Sequence, residues 1–155
     1  MKPKDLEKDI LALLKHNARM SNAEIADRLN TTEAKVAAAI AKLEADGQLL
    51  GYTAITASET EGDQVRAIIE VQVQPERENG FNKVARALAR FDEVVSVYLV
   101  SGRYDLHLEV VGRSLQDVAH FVASKLSSQS GVKSCATLFL LKKYKEAGIE
   151  LDKEE

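Results

Sequence analysis

The spacing of apolar residues changes once along this chain. From residue 5 to about residue 46 they recur every three or four positions, the period of an α-helix. From residue 64 onward, short segments alternate apolar and polar residues, the period of a β-strand. A chain of 155 residues has room for two small domains. We therefore predict an α+β protein in which a helical domain precedes a mixed domain, with a boundary in the acidic segment 57–63.

The first fifty residues predict three short helices, over residues 5–17, from Ser21, and over about residues 33–46. Ser21 and Glu24 have the spacing of a capping box, and Gly47 is a typical helix stop. Residues 49–56 then favour a short strand or hairpin. Three helices followed by a β element describe a winged helix-turn-helix, whose third helix enters the DNA major groove. We assign residues 1–50 to this domain and residues 51–63 to a β linker.

Eight positions on the second and third predicted helices, and the turn between them, are the candidates for DNA contact. They are Ser21, Arg28, Thr31, Thr32, Glu33, Lys35, Ala38 and Lys42. Lys35 and Lys42 are the long cations of the predicted recognition helix, whereas alanine offers only contact with a thymine methyl group. Residues 1–50 contain equal numbers of basic and acidic side chains, so phosphate neutralisation adds little affinity per domain. A small structural helical subdomain is the alternative interpretation.

The second half predicts strands over residues 64–74, 93–100, 104–111 and 132–143, with helices over residues 79–91 and 114–127. The order βαββαβ is the ferredoxin-like arrangement, with two helices on one face of a four-stranded antiparallel sheet. Residues 101–103 form a tight hairpin in this scheme, with Gly102 at the turn. We assign residues 64–145 to this domain and residues 146–155 to a polar tail.

The strand predicted over residues 93–100 is apolar on both sides, so both of its faces need cover. Two helices cover one sheet face and no third helix remains. A second copy of the chain, packed sheet to sheet, is therefore predicted to cover the other face, which gives a homodimer.

Several classes of protein are excluded by composition. The single Cys135 allows no internal disulfide, and the chain contains no Cys/His cluster with zinc-ligand spacing. No apolar run is long enough for a membrane span, so a cytoplasmic location is expected, without metal, cofactor or membrane partner. The net charge of −3 lies entirely outside residues 1–50, so the acidic balance does not exclude DNA binding.

Five segments resemble the Lrp/AsnC family, the leucine- and asparagine-responsive (feast/famine) transcription regulators. They are DLEKDILALL, SNAEIADRL, KLEADGQLLGYTA, VVSVYLVSGRYDLHLEV and GVKSCATLFLLK, and together they extend the resemblance from Asp5 to about Lys145. The resemblance implies a winged helix-turn-helix that binds double-stranded DNA and a RAM-type α/β sandwich domain. It also implies dimers that assemble into tetramers or octamers, with an amino acid bound between dimers.

One departure from the family concerns the third helix. The family usually carries arginine shortly before the Leu-Glu pair, where this chain has Ala39 and Ala41. We expect weak contact by each module, compensated by several modules acting together.

The family's effector contacts match the region around residues 100–105. An amino acid presents a carboxylate, which backbone amides at Gly102 would bind, and an ammonium group, which Asp105 would pair with. Tyr98 or Tyr104 would supply an aromatic wall. The candidate set is Tyr98, Val100, Ser101, Gly102, Tyr104, Asp105 and Thr137. Without a ligand, Gly102 would be only a turn residue, and Asp105 would end the hairpin or pair with Arg103.

The predicted function is a DNA-binding transcription regulator whose assembly or DNA affinity responds to a small effector, expected to be an amino acid. One alternative is an amino-acid sensor or assembly protein that has lost DNA reading, as the alanine-rich third helix suggests. Another is an enzyme related to sirohaem decarboxylases, but the sequence lacks the His and Arg cluster that such enzymes need. No catalytic residue is therefore assigned.

Overall fold

A computed structural model describes residues 3–57, 62, 64–74 and 80–151, with only the backbone of residues 3 and 4. The chain divides into two compact units, Met1–Ala54 and Ile55–Glu155. The predicted linker, residues 51–63, is therefore split between the units, and residues 58–61 and 63 lie outside the described part.

The first unit contains the three predicted helices. They are α1 (Pro3–His16), α2 (Asn22–Arg28) and α3 (Glu33–Ala45). Each amphipathic helix buries one apolar face, which produces a single small core. The buried members of that core are Ile10, Leu14, Met20, Ile25, Ala26, Val36 and Leu43.

Two polar residues set where α2 and α3 begin. The Glu24 amide donates to Ser21 Oγ (3.2 Å), and Glu24 Oε2 accepts from the Ser21 amide (2.7 Å). This is the predicted capping box. Thr32 caps α3 by accepting from the Lys35 amide at 3.4 Å. Asn30 adopts a positive φ of 49° in the turn between the two helices.

The strand predicted over residues 49–56 is wrong. Residues 51–57 are irregular, and no strand of the described part pairs with them. Leu49 packs on the helical core and its amide donates to the Leu43 carbonyl (3.0 Å), so it closes the end of α3. Leu50, in contrast, is 90% exposed, so the segment has no apolar face to bury against a partner strand.

The second unit has the predicted βαββαβ order. Its elements are β1 (Val65–Val73), α4 (Gly80–Leu88), β2 (Val94–Leu99), β3 (Leu106–Gly112), α5 (Leu115–Phe121) and β4 (Val132–Phe139). A π-helical turn, Val122–Leu126, continues α5. The sheet order is β2-β3-β1-β4 with antiparallel neighbours, which confirms the ferredoxin-like arrangement.

The core of this unit lies between the sheet and its helices. Alternate residues of β1 and β3 are fully or nearly fully buried, as their period of two predicts. The inward residues are Ala67, Ile69, Val71, Val73, Leu106, Leu108 and Val110. Phe121 of α5 is 2% exposed and meets Phe91 edge to face, with ring centroids 5.6 Å apart. The two helices therefore cover one sheet face only.

The ends of one helix and one strand differ from the predictions. The helix predicted over residues 79–91 ends at Leu88, and residue 79 lies outside the described part. β4 ends at Phe139 rather than at residue 143, because the last backbone hydrogen bond to β1 joins the Leu140 amide to the Arg66 carbonyl. Beyond Arg66, β1 offers it no further partner.

The predicted polar tail contains regular structure. β5 (Lys145–Glu146) pairs with β6 (Ile149–Glu150) in a short hairpin. Ala147 and Gly148 adopt φ values of 46° and 86°, which a two-residue turn of this kind requires. Residues 152–155 of the tail lie outside the described part.

Candidate functional site

The connection between β2 and β3, residues 100–105, is termed the β2–β3 loop. It replaces the predicted three-residue hairpin, since β2 ends at Leu99 and β3 begins only at Leu106. Asp105 is held firmly at the end of this loop. Its amide donates to the Val71 carbonyl (3.0 Å), and its Oδ2 accepts from the Val73 amide (2.8 Å). The carboxylate thus fastens the loop to the end of β1.

The middle of the loop is exposed. Ser101, Gly102 and Arg103 are open to solvent, and Gly102 adopts a φ of 156°. Among the described residues, none accepts a hydrogen bond from the amides of residues 101–104. Exposed, unbonded amides in a turn are suitable donors for a carboxylate. The loop therefore combines free donors with one fixed carboxylate.

Arg103 does not pair with Asp105, which was one alternative for that aspartate. Its guanidinium carbon instead lies 5.8 Å from the centroid of the Tyr104 ring. Both side chains of this cation–π contact belong to the loop, so they restrict its exposed part.

The structure places the two remaining effector candidates on different faces of the sheet. Tyr98 lies opposite His107 in the β2–β3 pair, with ring centroids 6.5 Å apart, on the face away from the helices. Thr137 pairs with the buried Ile69 and shares the helix-covered face. One loop therefore brings together Val100, Ser101, Gly102, Tyr104 and Asp105, whereas Tyr98 and Thr137 do not meet.

The sheet face opposite the helices is termed the open face. It carries a cavity of about 200 Å³ beside Ile68, Tyr98 and His107, bordered by the segment that leads into β5. Arg66 and Glu109 form an ion pair in it (2.7 Å). Sequence reasoning missed this pair, although opposite charges at diagonal positions of paired strands were an available signal.

A second cavity, of about 420 Å³, lies at the other end of β3 from the loop. Two ion pairs line it, Glu93 with Lys125 and Arg113 with Asp117. The hydrogen bond from Lys125 holds the pKa of Glu93 below its ordinary value. Because opposite charges are already paired here, the cavity is less suited to an ionic ligand than the β2–β3 loop.

The candidate DNA contacts in the first unit differ in whether their side chains already form contacts within the protein. Arg28, Glu33, Lys35 and Ala38 are exposed on α2 or α3, and Thr31 is half-buried. Ser21 and Thr32 use their hydroxyl groups as helix caps. Lys42 is exposed but held, since its Nζ lies 2.8 Å from Glu7 Oε1 and 3.3 Å from Asp46 Oδ2. Glu7, and then Asp46, raise the pKa of Lys42.

Removing the cap of α2 tests whether the capping box stabilises the first unit. The Ser21 backbone and then its hydroxyl hold the pKa of Glu24 below its ordinary value. The stabilisation that ionised Glu24 provides is therefore present above the ordinary carboxyl pKa. It is lost as the pH falls through the lowered pKa of Glu24. Ser21→Ala is expected to lower the unfolding free energy by about 1 kcal/mol at neutral pH and to flatten its acid dependence in part, because the Ser21 amide still donates to Glu24. Thermal unfolding across pH, followed by circular dichroism, measures both.

Glu24→Gln is the matched control for this prediction. It keeps an acceptor for the Ser21 amide but removes the titrating charge, so it should flatten the acid dependence with a smaller loss at neutral pH. An unchanged unfolding profile for Ser21→Ala would contradict the role of the cap.

A helix-turn-helix unit followed by an antiparallel α/β unit with an exposed loop is typical of a two-domain regulatory protein. The family models agree with this class. The Lrp/AsnC ligand binding domain matches residues 66–149, and the winged helix-turn-helix DNA-binding domain matches residues 4–49.

Individual relatives support the same assignment. The chain is 42% identical over 150 residues to the HTH-type transcriptional regulator YugG of Bacillus subtilis, covering 96% of this chain and 90% of YugG. The chain belongs to the Lrp/AsnC family of transcriptional regulators, with a DNA-binding and a ligand-binding domain.

Two solved structures share the fold across both units. The transcriptional regulator NMB0573 of Neisseria meningitidis, in complex with L-Met, has a TM-score of 0.71 and 25% identity, covering 91% of each chain. The feast or famine regulatory protein Rv3291c of M. tuberculosis, complexed with L-methionine, has a TM-score of 0.74 and 20% identity, covering 96% of this chain and 98% of that one.

None of the helices in the described part of the chain is both long and apolar enough to cross a bilayer. Within the same residues, no group of three or more His, Cys, Asp or Glu side chains is placed to hold a metal ion.

Proposed function

We propose that this regulator binds an amino acid at its β2–β3 loop and that the bound amino acid changes its DNA affinity or its assembly. The observation that carries the proposal is the loop itself. Its amides from residue 101 to residue 104 donate to no described group, and the Asp105 carboxylate is fixed beside them. A carboxylate and an ammonium group, spaced as in an amino acid, complement these two features.

The chemistry of the loop supports specific roles. The effector carboxylate would accept from the amides around Gly102, and its ammonium group would pair with Asp105 Oδ1, because Oδ2 already accepts from Val73. Tyr104 would provide an aromatic wall. The L-methionine in the two similar structures supports an amino acid as the class of ligand.

The open face supports a homodimer. Tyr98 and Leu138 are 57% and 50% exposed, and Ile68 and Ala136 lie on the same face. Apolar surface on the side of a sheet that lacks helices favours burial against a second copy. We propose a sheet-to-sheet dimer, and a higher assembly of dimers such as an octamer, in which several DNA-binding units act together on double-stranded DNA.

The second candidate function is that of an amino-acid sensor that no longer recognises DNA. Its support is the exposed surface of α3, where alanine is the prevailing residue. The exposed alanines are Ala34, Ala37, Ala38, Ala41 and Ala45. Alanine provides no hydrogen bond to a base edge, so direct base recognition by this helix is limited.

A gel-shift series distinguishes the two candidates. The protein is titrated at low salt into a duplex of its own upstream DNA and into an unrelated duplex, with and without amino acids. The proposal predicts binding to the upstream duplex and a change in affinity with at least one amino acid. Amino-acid binding without any DNA binding would select the sensor instead.

A further inference from the structure

The distribution of charge on α3 shows which of its two lysines is available to DNA. Lys42 Nζ donates to Glu7 Oε1 of α1 (2.8 Å), a residue 35 positions earlier in the sequence. The side chain of Glu7 is only 15% exposed, so its carboxylate is held at the α1–α3 contact. Asp46, one turn beyond Lys42, supplies a second carboxylate at 3.3 Å.

Lys35 is in a different position. It is exposed at the start of α3, just after the Thr32 cap, and its side chain forms no ion pair or hydrogen bond within the described residues. In a helix-turn-helix the N-terminal part of the recognition helix is the part that reaches the bases. Lys35 thus offers a cation where DNA would lie, without first breaking an internal contact.

A phosphate that approached Lys42 would have to compete with two carboxylates for its ammonium group. Glu7 at the α1–α3 contact and Asp46 at the end of α3 would both lie close to that phosphate and repel it. The net effect of recruiting Lys42 would therefore be small or unfavourable.

We propose that Lys42 is a positioning residue that fixes α3 against α1 through Glu7, and that Lys35 is the lysine of α3 that contacts DNA. This inference rests on the proposed DNA-binding function. It assigns one cationic DNA contact to each recognition helix and removes Lys42 from the predicted contacts.

The salt dependence of DNA binding separates the two lysines. Each phosphate contact contributes about 0.9 to the slope of log K against log salt. Lys35→Met should reduce the slope by about 0.9 for each engaged α3 and weaken binding to both the upstream and the unrelated duplex. Lys42→Met, which keeps most of the aliphatic side chain, should leave the slope unchanged even where affinity falls. Fluorescence anisotropy on upstream and unrelated duplexes measures both quantities.

A charge swap gives the decisive comparison. In a D46N background, so that the new carboxylate does not face Asp46, Lys42→Glu alone should lower the melting temperature and weaken DNA binding. Adding Glu7→Lys should restore both, with DNA affinity within about threefold of the D46N protein, because the α1–α3 ion pair is re-formed with reversed polarity.

Each outcome has a separate meaning. Restored stability with lost DNA binding in the swapped protein would show that Lys42 contacts DNA, and so would a lower slope for Lys42→Met. If the swapped protein does not fold, the Lys42→Met slope decides the question. Absence of DNA binding by the wild-type protein would overturn the regulator function itself, whereas the other outcomes concern only the assignment of the two lysines.

Discussion

Asp105→Asn is expected to abolish most of the effector response while leaving the fold close to wild type. Asparagine keeps a side-chain oxygen that can accept from the Val73 amide at the site of the present 2.8 Å hydrogen bond. It loses the negative charge that would pair with an ammonium group. Hydrogen bonds to charged groups contribute about 1.5–3 kcal/mol, so effector affinity should fall by roughly ten- to a hundredfold. Titration calorimetry with L-methionine and the other amino acids measures this.

Asp105→Ala is the matched control. Alanine leaves the Val73 amide without its acceptor in a partly buried position, which should cost about 1–3 kcal/mol of stability. For a unit of this size that corresponds to roughly 4–8 °C of melting temperature per kcal/mol. Wild-type effector affinity in Asp105→Asn would contradict the ammonium-binding role, and equal destabilisation by the two variants would contradict the acceptor role.

Phe121→Ala is expected to cause the largest loss of stability in the α/β unit. Phe121 is 2% exposed, packs under the sheet and contacts Phe91 edge to face. Truncation of a buried phenylalanine costs about 3–5 kcal/mol, because the cavity that remains closes only in part. Urea unfolding followed by circular dichroism measures the change.

Phe91→Ala and the double variant complete a cycle for this pair. Phe91 is only partly buried, so its single variant should cost less than Phe121→Ala. The coupling between the rings should be about 0.5–1.5 kcal/mol. A loss below about 1 kcal/mol for Phe121→Ala would show that the ring does not fill the core as described.

Much of the fold follows from local signals in the sequence. The alternation along β1 places Ile69 and Val71 on one face of the strand, and both are fully buried. The Ser21 and Glu24 spacing identifies the start of α2, and the capping box forms. In these cases one residue's neighbours in sequence are also its partners in space, so period and spacing carry the information.

The errors and omissions arise where partners are distant in sequence. The hydrogen bond between Asp105 and Val73 spans 32 positions and fastens a loop that is longer than local turn signals predicted. The ion pair between Lys42 and Glu7 joins residues 35 positions apart, so no local pattern indicates it. The segment predicted as a strand, residues 49–56, contains strand-forming residues, but no strand among the described residues pairs with it. A sequence pattern gives the type of a side chain. It does not show which distant residues that side chain contacts in the folded protein.

The central claim is that an amino acid bound to this regulator changes how it binds DNA. It is tested most directly by measuring the Kd for the upstream duplex in the presence of each of the common amino acids, with molar mass from light scattering on the same samples. The account predicts that at least one amino acid changes the Kd by about 5- to 150-fold, with or without a change in mass, and that Asp105→Asn removes the effect. Tight DNA binding that is the same with every amino acid, at constant mass, would contradict it.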